Sequence, residues 1–323
     1  MRAIVYTRYG PPDVLQLKDL PKPTPKANEV LIKIHATTLN RTDVGFRKPE
    51  YPLIIRPLQG LIRPRRQILG SELAGVIEAV GKDVTAFKPG DAVFGLSTWN
   101  FGTHADYICM DEHASLALKP TNMSFDEAAA VCDGLILGMN LAGKIDYTKA
   151  KDVLVNGATG SIGSACVQLA RHFGARVTAV CKAEHFDLVK SLGASDVIDY
   201  TQEDFTKGGR QVEVVVDAVG KSSFFKCRKL LKPGGTYFST ELGFLMQNIW
   251  LALITPWLGG RKVLFPVPKD SQKDIRYFKE LIEAGHYKAV IDRRYPLEQI
   301  VAAARYVETG EKIGNVVLTT TPA

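Results

Sequence analysis

The sequence predicts an α/β protein made of two parts, a β-rich, barrel-like unit and a doubly wound parallel sheet. Its 323 residues are long for one hydrophobic core and sufficient for two. The first third contains many short strand-like runs separated by glycine and proline, which is typical of a barrel-like unit. From Asp152 onward, strand patterns alternate with helix patterns, and this alternation predicts a parallel sheet covered on both faces.

The strands predicted for the first part are short. They cover residues 3–6, 30–34, 76–81 and 92–95, and each is bounded by turn-forming residues. Residues 47–69 are irregular and too long for a plain connection, and a loop of that length is usually functional or mobile.

The pattern changes near Met123. Ser124 is the predicted N-cap of a helix that runs through Asp126, Glu127 and the alanines that follow. The later predicted strands are residues 153–156, 176–180, 196–199, 212–216, 236–239 and 262–265. The helix after the first of these strands carries one apolar face, formed by Ile162, Ala165, Cys166, Leu169, Ala170 and Phe173.

The chain ends with two predicted helices, residues 273–283 and 297–307, and a strand at residues 316–318. A strand in that position needs a sheet partner, so we expect it to return to the first part. The β-rich unit should then comprise residues 1–122 and 267–323, and the doubly wound unit residues 123–266.

Composition excludes several classes of protein. The 41 lysines and arginines against 34 aspartates and glutamates give a net charge of +7, but no basic stripe interleaved with aromatics is present, so nucleic acid is not an expected partner. The five cysteines lie too far apart for a disulfide framework or a zinc ribbon. The N-terminal sequence has no apolar signal segment, so a cytoplasmic location is expected.

Residues 244–258 are strongly apolar but shorter than the roughly 20 residues that a membrane span requires. We interpret them as a buried helix. The alternatives are the wall of an apolar pocket, a dimer face and a peripheral membrane contact.

A glycine-rich turn follows the first buried strand. It consists of Gly157, Ala158, Thr159, Gly160, Ser161, Ile162 and Gly163, with the spacing G-x-x-G-x-x-G, and it leads into a helix. Such glycines allow a sharp turn and close approach of a pyrophosphate, which the helix N-terminus then binds. The turn therefore predicts a dinucleotide site; the alternative is a glycine-rich turn without a ligand.

The end of the second strand indicates which dinucleotide is bound. An NAD site has an acidic residue there for the ribose 2′-hydroxyl, whereas this chain has Lys182, with Glu184 two residues later. A lysine suits the 2′-phosphate of NADP, so the sequence favours NADPH. The alternatives are that Glu184 binds the ribose or that Lys182 is simply solvated.

With these features, the sequence resembles the medium-chain dehydrogenase/reductase superfamily, whose members combine a GroES-like catalytic domain with a Rossmann dinucleotide-binding domain. The matching strings extend over nearly the whole chain. They are residues 39–43, 70–75, 88–95, 101–107, 192–194, 232–235 and 312–317.

The resemblance implies where a catalytic zinc would be bound in the zinc-dependent branch. At the three ligand positions of that branch this chain has Asn40, Ser71 and Cys132. Neutral asparagine and serine oxygens bind zinc poorly, so we expect no zinc and interpret Cys132 as a buried apolar side chain. The chain is therefore similar to the zinc-free quinone and enone reductases, which transfer hydride from NADPH to an electrophilic acceptor.

The resemblance also implies site residues. Asn40 and Asp43 would line the acceptor site, although both residue types often cap a turn. Thr42 is a candidate proton donor, and Tyr51 could donate a hydrogen bond to the carbonyl of the acceptor. Tyr200 would lie near the adenosine 2′-phosphate, and Val219 and Asn315 would lie near the nicotinamide. The alternative for Tyr200 and Val219 is that they only pack against neighbouring residues. Ile136 occupies a position where these reductases have threonine.

The leading interpretation is an NADPH-dependent reductase of quinones or α,β-unsaturated carbonyls that forms a homodimer. A second is an alcohol dehydrogenase or carbonyl reductase. A third is a non-catalytic NADPH-binding sensor or structural protein.

Overall fold

The computed structural model describes residues 1–48, 59–265 and 269–320. The strands are β1 (Arg2–Val5), β2 (Gln16–Asp19), β3 (Glu29–Leu39), β4 (Glu72–Val80), β5 (Ala92–Leu96), β6 (Tyr107–Asp111), β7 (Leu116–Leu118), β8 (Asp152–Asn156), β9 (Arg176–Cys181), β10 (Asp196–Asp199), β11 (Val212–Asp217), β12 (Leu231–Ser239), β13 (Lys262–Leu264), β14 (Ile291–Pro296) and β15 (Asn315–Thr319). The α-helices are α1 (Arg41–Arg47), α2 (Phe125–Ala129), α3 (Cys132–Ala142), α4 (Ser161–His172), α5 (Phe186–Ser191), α6 (Phe224–Cys227), α7 (Gln247–Ile254), α8 (Gln272–Glu283) and α9 (Ile300–Thr309).

The chain divides into two compact units. The first comprises Met1–Cys132, Asp270–Gly285 and Ala289–Ala323, and the second Asp133–Lys269 and His286–Lys288. The first unit thus extends ten residues beyond the expected boundary at residue 122, because α2 packs on β3 and β4. Ser124 caps α2 as predicted, and its side chain exchanges hydrogen bonds with Glu127.

The first unit is built on a seven-stranded sheet in the order β14-β15-β3-β4-β5-β7, with β6 paired to β3. The C-terminal strand β15 lies antiparallel to β3, which confirms that the last strand returns to the first part. The sequence did not predict β2, β6, β7 or β14, in which exposed or half-buried residues outnumber buried ones except in the three-residue β7.

The second unit is a six-stranded, fully parallel sheet in the order β10-β9-β8-β11-β12-β13. This is the predicted doubly wound arrangement, and the strand order reverses between β8 and β11. In such sheets, ligands bind outside the carboxyl ends of the strands at the reversal. The glycine-rich turn lies at that point because it directly follows β8.

The interpretation of residues 244–258 as a buried helix is wrong. Helix α7 and the 3-10 turn Thr255–Leu258 bury two polar residues, Asn248 and Thr255, and expose apolar ones. We call the exposed set the outer apolar stripe; it consists of Phe244, Leu245, Trp250, Leu253, Ile254, Trp257 and Leu258. None of the helices in the described ranges has both the length and the apolarity needed to cross a bilayer.

Candidate functional site

The glycine-rich turn of the second unit is held to the neighbouring strand by backbone hydrogen bonds. The N–H groups of Gly157 and Ala158 both donate to the carbonyl oxygen of Val180, at 3.1 and 3.2 Å. Gly157 has a φ of +76°, and a Cβ there would lie 2.3 Å from Cγ1 of Val219. A residue without a side chain is therefore required at Gly157 for the turn itself.

The other two glycines of the motif have different roles. A Cβ on Gly163 would lie 2.0 Å from the carbonyl oxygen of Gly157, so Gly163 permits the close packing of α4 on the turn. Gly160 has an ordinary φ of −71°, and the nearest atom to its Cβ would be 3.7 Å away. The fold therefore does not require glycine at residue 160.

The N-terminus of α4 has the features of an anion site. Gly160 is the N-cap and supplies no side chain to the first N–H groups of the helix, and the first turn contains no acidic residue. The hydroxyl oxygen of Ser161 is buried and has no hydrogen-bond partner among the residues described. Free N–H groups, the positive end of the helix dipole and an unsatisfied hydroxyl are all suited to the phosphates of a dinucleotide.

A buried carboxylate at the strand reversal supports this turn, and the sequence analysis missed it. Asp217, at the end of β11, accepts hydrogen bonds from Nδ2 of Asn156, from the hydroxyl of Tyr237 and from the N–H of Ser222, at 2.9 to 3.0 Å. Asp217 is fully buried. Polar residues that end two neighbouring apolar strands, here Asn156 and Asp217, are the signal that could have identified this network.

The predicted adenosine-side residues lie at the ends of β9 and β10. Lys182 directly follows β9, and its Nζ is 3.9 Å from Oε1 of Glu184. Both side chains are substantially exposed, and Tyr200 after β10 is 51% exposed. Val219 is 39% exposed and adjoins Gly157. A partly exposed lysine at the end of the second strand is accessible to a phosphate.

In the first unit, Asn40 and Asp43 form the N-terminal cap of α1. Oδ1 of Asn40 accepts from the N–H of Asp43 at 3.1 Å, and Oδ2 of Asp43 accepts from the N–H of Asn40 at 2.9 Å. Oδ1 of Asp43 also accepts from the N–H of Gly70 at 2.9 Å. Asp43 thus fixes the start of α1 to the segment before Ser71, and its oxygens are occupied by backbone donors.

The carboxylate of Asp43 is deeply buried. Burial raises the pKa of this carboxyl above its ordinary value, while His104 and the backbone N–H donors act in the opposite direction. Nε2 of His104 lies 2.8 Å from the carbonyl oxygen of Thr38, to which it donates, and 4.0 Å from Oδ2 of Asp43. Through these contacts, His104 stabilises the end of β3 before Asn40, and Asp43 stabilises the start of α1 after it.

Asn40 and Ser71 lie together, as expected for two positions of one site. Nδ2 of Asn40 is 3.4 Å from the hydroxyl oxygen of Ser71, and both residues are buried. Cys132 is fully buried at the start of α3. Oδ1 of Asn40 accepts from the N–H of Asp43 and Nδ2 faces Ser71, and the neutral amide and hydroxyl oxygens of these two residues are weak ligands for zinc. The residues at these positions do not fit a zinc ion. In the described ranges, no three or more histidine, cysteine, aspartate or glutamate side chains come together as metal ligands.

The remaining predicted residues have separate positions. Thr42 is half-buried in the first turn of α1. Tyr51 lies outside the described residues. Asn315 is buried, and its Nδ2 donates to the carbonyl oxygens of Ala130 and Val290, at 2.7 and 3.2 Å. Ile136 is buried in α3.

Comparison with known proteins gives consistent matches. Residues 26–121 match the alcohol dehydrogenase GroES-like domain, and residues 192–318 match the family described as zinc-binding dehydrogenase. The chain is similar to 2-methylene-furan-3-one reductase of Solanum lycopersicum, with 34% identity over 98% of this chain and 79% of the relative. It is 32% identical to the chloroplastic NADPH-dependent alkenal/one oxidoreductase of Arabidopsis thaliana, with the same coverage. The solved quinone oxidoreductase of Coxiella burnetii has a TM-score of 0.88 to this chain at 25% identity, over 99% of both.

Proposed function

The chain belongs to the medium-chain dehydrogenase/reductase superfamily, and we propose that it reduces quinones or α,β-unsaturated carbonyls with NADPH, without a metal ion. A nicotinamide cofactor is the common property of this family. The single observation that carries the assignment of a nicotinamide cofactor is the glycine-rich turn of the second unit. Gly157 and Gly163 are required there for the backbone conformation and for helix packing, whereas Gly160 leaves room for a ligand.

The acceptor class is supported by two independent considerations. The relatives named above are reductases of conjugated carbonyl compounds, and the similar solved structure is a quinone oxidoreductase. In addition, Asn40 and Ser71 are neutral and hydrogen-bonded to each other, so this pair is poorly suited to hold a Lewis-acidic metal ion that would activate the acceptor. An acceptor that is already electrophilic needs no such activation.

The proposed chemistry assigns distinct tasks to the chain's residues. NADPH, held by the glycine-rich turn and Lys182, would supply a hydride to the acceptor, and the electron pair of the acceptor's double bond would then move to its oxygen. Asn40 donates from Nδ2 to that oxygen, because Oδ1 is occupied by the N–H of Asp43. Thr42 is the proposed source of the proton that completes the reduction. Asp43 is a positioning residue that holds Asn40.

Kinetics with a small acceptor panel test the proposed function. We expect NADPH oxidation with simple quinones and with enals, and no stoichiometric zinc by elemental analysis of the active protein. Loss of NADPH absorbance without any acceptor is the background control. Absence of turnover with every quinone and enal, or ethanol-dependent reduction of NADP⁺ by a zinc-loaded protein, would contradict the proposal.

Substitution of Lys182 tests the preference for NADPH. Lys182→Ala should weaken NADPH binding about tenfold or more, because a charge-assisted hydrogen bond to the 2′-phosphate is lost, and should leave NADH binding nearly unchanged. Glu184→Gln is the matched control, since it alters the partner of Lys182 but keeps the cation. The measurement is the dissociation constant of each nucleotide. Equal losses of affinity for NADPH and NADH would show that Lys182 does not bind the 2′-phosphate.

Tyr200 and Val219 are proposed as further cofactor contacts, and Asn315 as a support near the nicotinamide. A homodimer remains a prediction from the family resemblance. Sedimentation velocity of the purified chain tests it.

A further inference from the structure

Residues 59–67 form a loop of the first unit that is attached to the N-terminal segment. The N–H of Tyr6 donates to the carbonyl oxygen of Gln67 at 2.9 Å. The hydroxyl of Tyr9 donates to the carbonyl oxygen of Gly60 at 2.6 Å. The N-terminal segment therefore runs beside the loop, and the two present their exposed side chains on one surface.

Four exposed arginines lie on this loop and on the segment beside it. They are Arg8, Arg63, Arg65 and Arg66. In the described ranges, no carboxylate forms an ion pair with any of the four. Unpaired like charges repel one another, so an anion bound among them is stabilised.

The acidic residues that directly follow these segments are engaged elsewhere. Asp13 pairs with Arg305 at 2.6 Å, and Asp106 pairs with Arg2 at 2.9 Å. Glu72 is fully buried and accepts a hydrogen bond from the hydroxyl of Thr38. These carboxylates therefore do not neutralise the four arginines.

One of the four guanidinium groups is already oriented by a neutral partner. Nη2 of Arg66 donates to Oδ1 of Asn100 at 2.9 Å, which leaves its charge and its other N–H groups for a ligand. Trp99, the neighbour of Asn100 in the chain, is 63% exposed. We call the four arginines and Trp99 the arginine surface. It contains no lysine, and the planar fork of arginine is suited to phosphate through paired hydrogen bonds.

The arginine surface lies beside the proposed acceptor site. The N–H of Ser97 donates to the carbonyl oxygen of Ser71 at 2.6 Å, and Ser71 contacts Asn40. An extended chain spans at most about 3.6 Å per residue, so the Cα atom of Trp99 lies within about 7 Å of that of Ser97. The Cα atom of Asn100, which binds an arginine of the surface, lies within about 11 Å of it. A long acceptor that reacts at Asn40 therefore reaches the arginines.

We propose that the arginine surface binds a phosphate group at the far end of the acceptor, so that the preferred substrates are long enals, enones or quinones that carry phosphate. This inference rests on the proposed function and adds a substrate class to it. Exposed Leu61 and Ile62 contact the carbon chain together with Trp99, and the guanidinium groups bind the phosphate oxygens. An anionic bilayer is a poorer ligand, because diffuse attraction to headgroups does not require arginine in place of lysine.

A matched pair of acceptors tests the proposal. One is an unbranched enal with a hydroxyl group at its far end, and the other is the phosphate monoester of the same compound. In the wild type, kcat/KM should be about tenfold or more higher for the phosphate. This ratio should fall by about tenfold in Arg65→Ala/Arg66→Ala, and it should also fall when salt is added.

Arg276→Ala is the matched control. Arg276 is exposed in the same unit and, like Arg66, donates to a neutral amide oxygen, here Oε1 of Gln272 at 2.8 Å. Its substitution should leave the ratio unchanged, because Arg276 lies on α8 and not on the arginine surface. Urea unfolding of each variant shows whether it is folded.

The possible contrary results can be told apart. A wild-type ratio near one, or a ratio that Arg65→Ala/Arg66→Ala does not lower, would overturn the phosphate site and leave the proposed function intact. A ratio near one together with arginine-dependent sedimentation on phosphatidylglycerol vesicles would overturn it in favour of lipid headgroups. Absence of NADPH oxidation with both enals would contradict the proposed function itself, and this inference with it.

Discussion

Gly160→Val should severely weaken the binding of both NADPH and NADH while the chain remains folded. The backbone at residue 160 has an ordinary φ and ψ, and its Cβ would lie 3.7 Å from the nearest atom, an ordinary van der Waals contact, so the fold accommodates a side chain. The isopropyl group would instead occupy the space that the pyrophosphate needs beside the N-terminus of α4. We expect the dissociation constant to rise by roughly a hundredfold or more, which corresponds to about 3 kcal/mol.

Two other glycines provide the controls for this substitution. Gly260→Val places the same side chain in the second unit at a position with no atom within 4 Å, and it should leave affinity and stability unchanged. Gly163→Ala should lower the free energy of unfolding by about 1 to 3 kcal/mol, because its Cβ meets the carbonyl of Gly157. Titration calorimetry measures nucleotide affinity and urea unfolding measures stability. Normal NADPH affinity in Gly160→Val would contradict the assignment of the glycine-rich turn as the dinucleotide site.

The second large effect is expected at Asn40, where a capping role and a catalytic role must be separated. Asn40→Ala removes both the cap and the amide donor, whereas Asn40→Ser retains a good N-cap. We expect turnover of a quinone to fall by roughly a hundredfold in both variants, as for the loss of one donor to a developing oxyanion. The dissociation constant of NADPH should be unchanged, and Asn40→Ala alone should lose about 1 kcal/mol of stability.

Ser124→Ala is the matched control for Asn40. Ser124 is the N-cap of α2 in the same unit and forms the same reciprocal pair with the residue three positions later. Its loss should cost similar stability without altering turnover. A wild-type rate in Asn40→Ser would mean that Asn40 serves only to cap α1.

The sequence predicted those parts of the fold that depend on local pattern. The two central strands of the parallel sheet contain unbroken apolar runs, residues 153–155 of β8 and 214–216 of β11, and the spacing of Gly157, Gly160 and Gly163 indicated the position of the turn. The capping pair of Asn40 and Asp43 was also foreseen as an alternative, because both residue types favour helix starts.

The features that the sequence could not predict depend on partners distant in the chain. The role of Asp217 arises from Asn156 and Tyr237 on neighbouring strands, and that of His104 from Thr38 and Asp43. The stripe was misinterpreted for a related reason. Helical spacing shows which apolar residues share a face, but the side that meets the protein was decided here by the hydrogen bonds of Asn248 and Thr255.

The pairing of β3 with β15 has a consequence for biosynthesis on the ribosome. The parallel sheet is contained in one uninterrupted stretch of chain, so it can become native soon after it leaves the exit tunnel. The part of β3 that pairs with β15, residues 36–39, is synthesised much earlier but keeps an unpaired edge until β15 emerges, and such edges promote aggregation. Truncations that remove β15 should therefore precipitate in cells, whereas chaperone-bound nascent chains should already contain a protease-resistant parallel sheet.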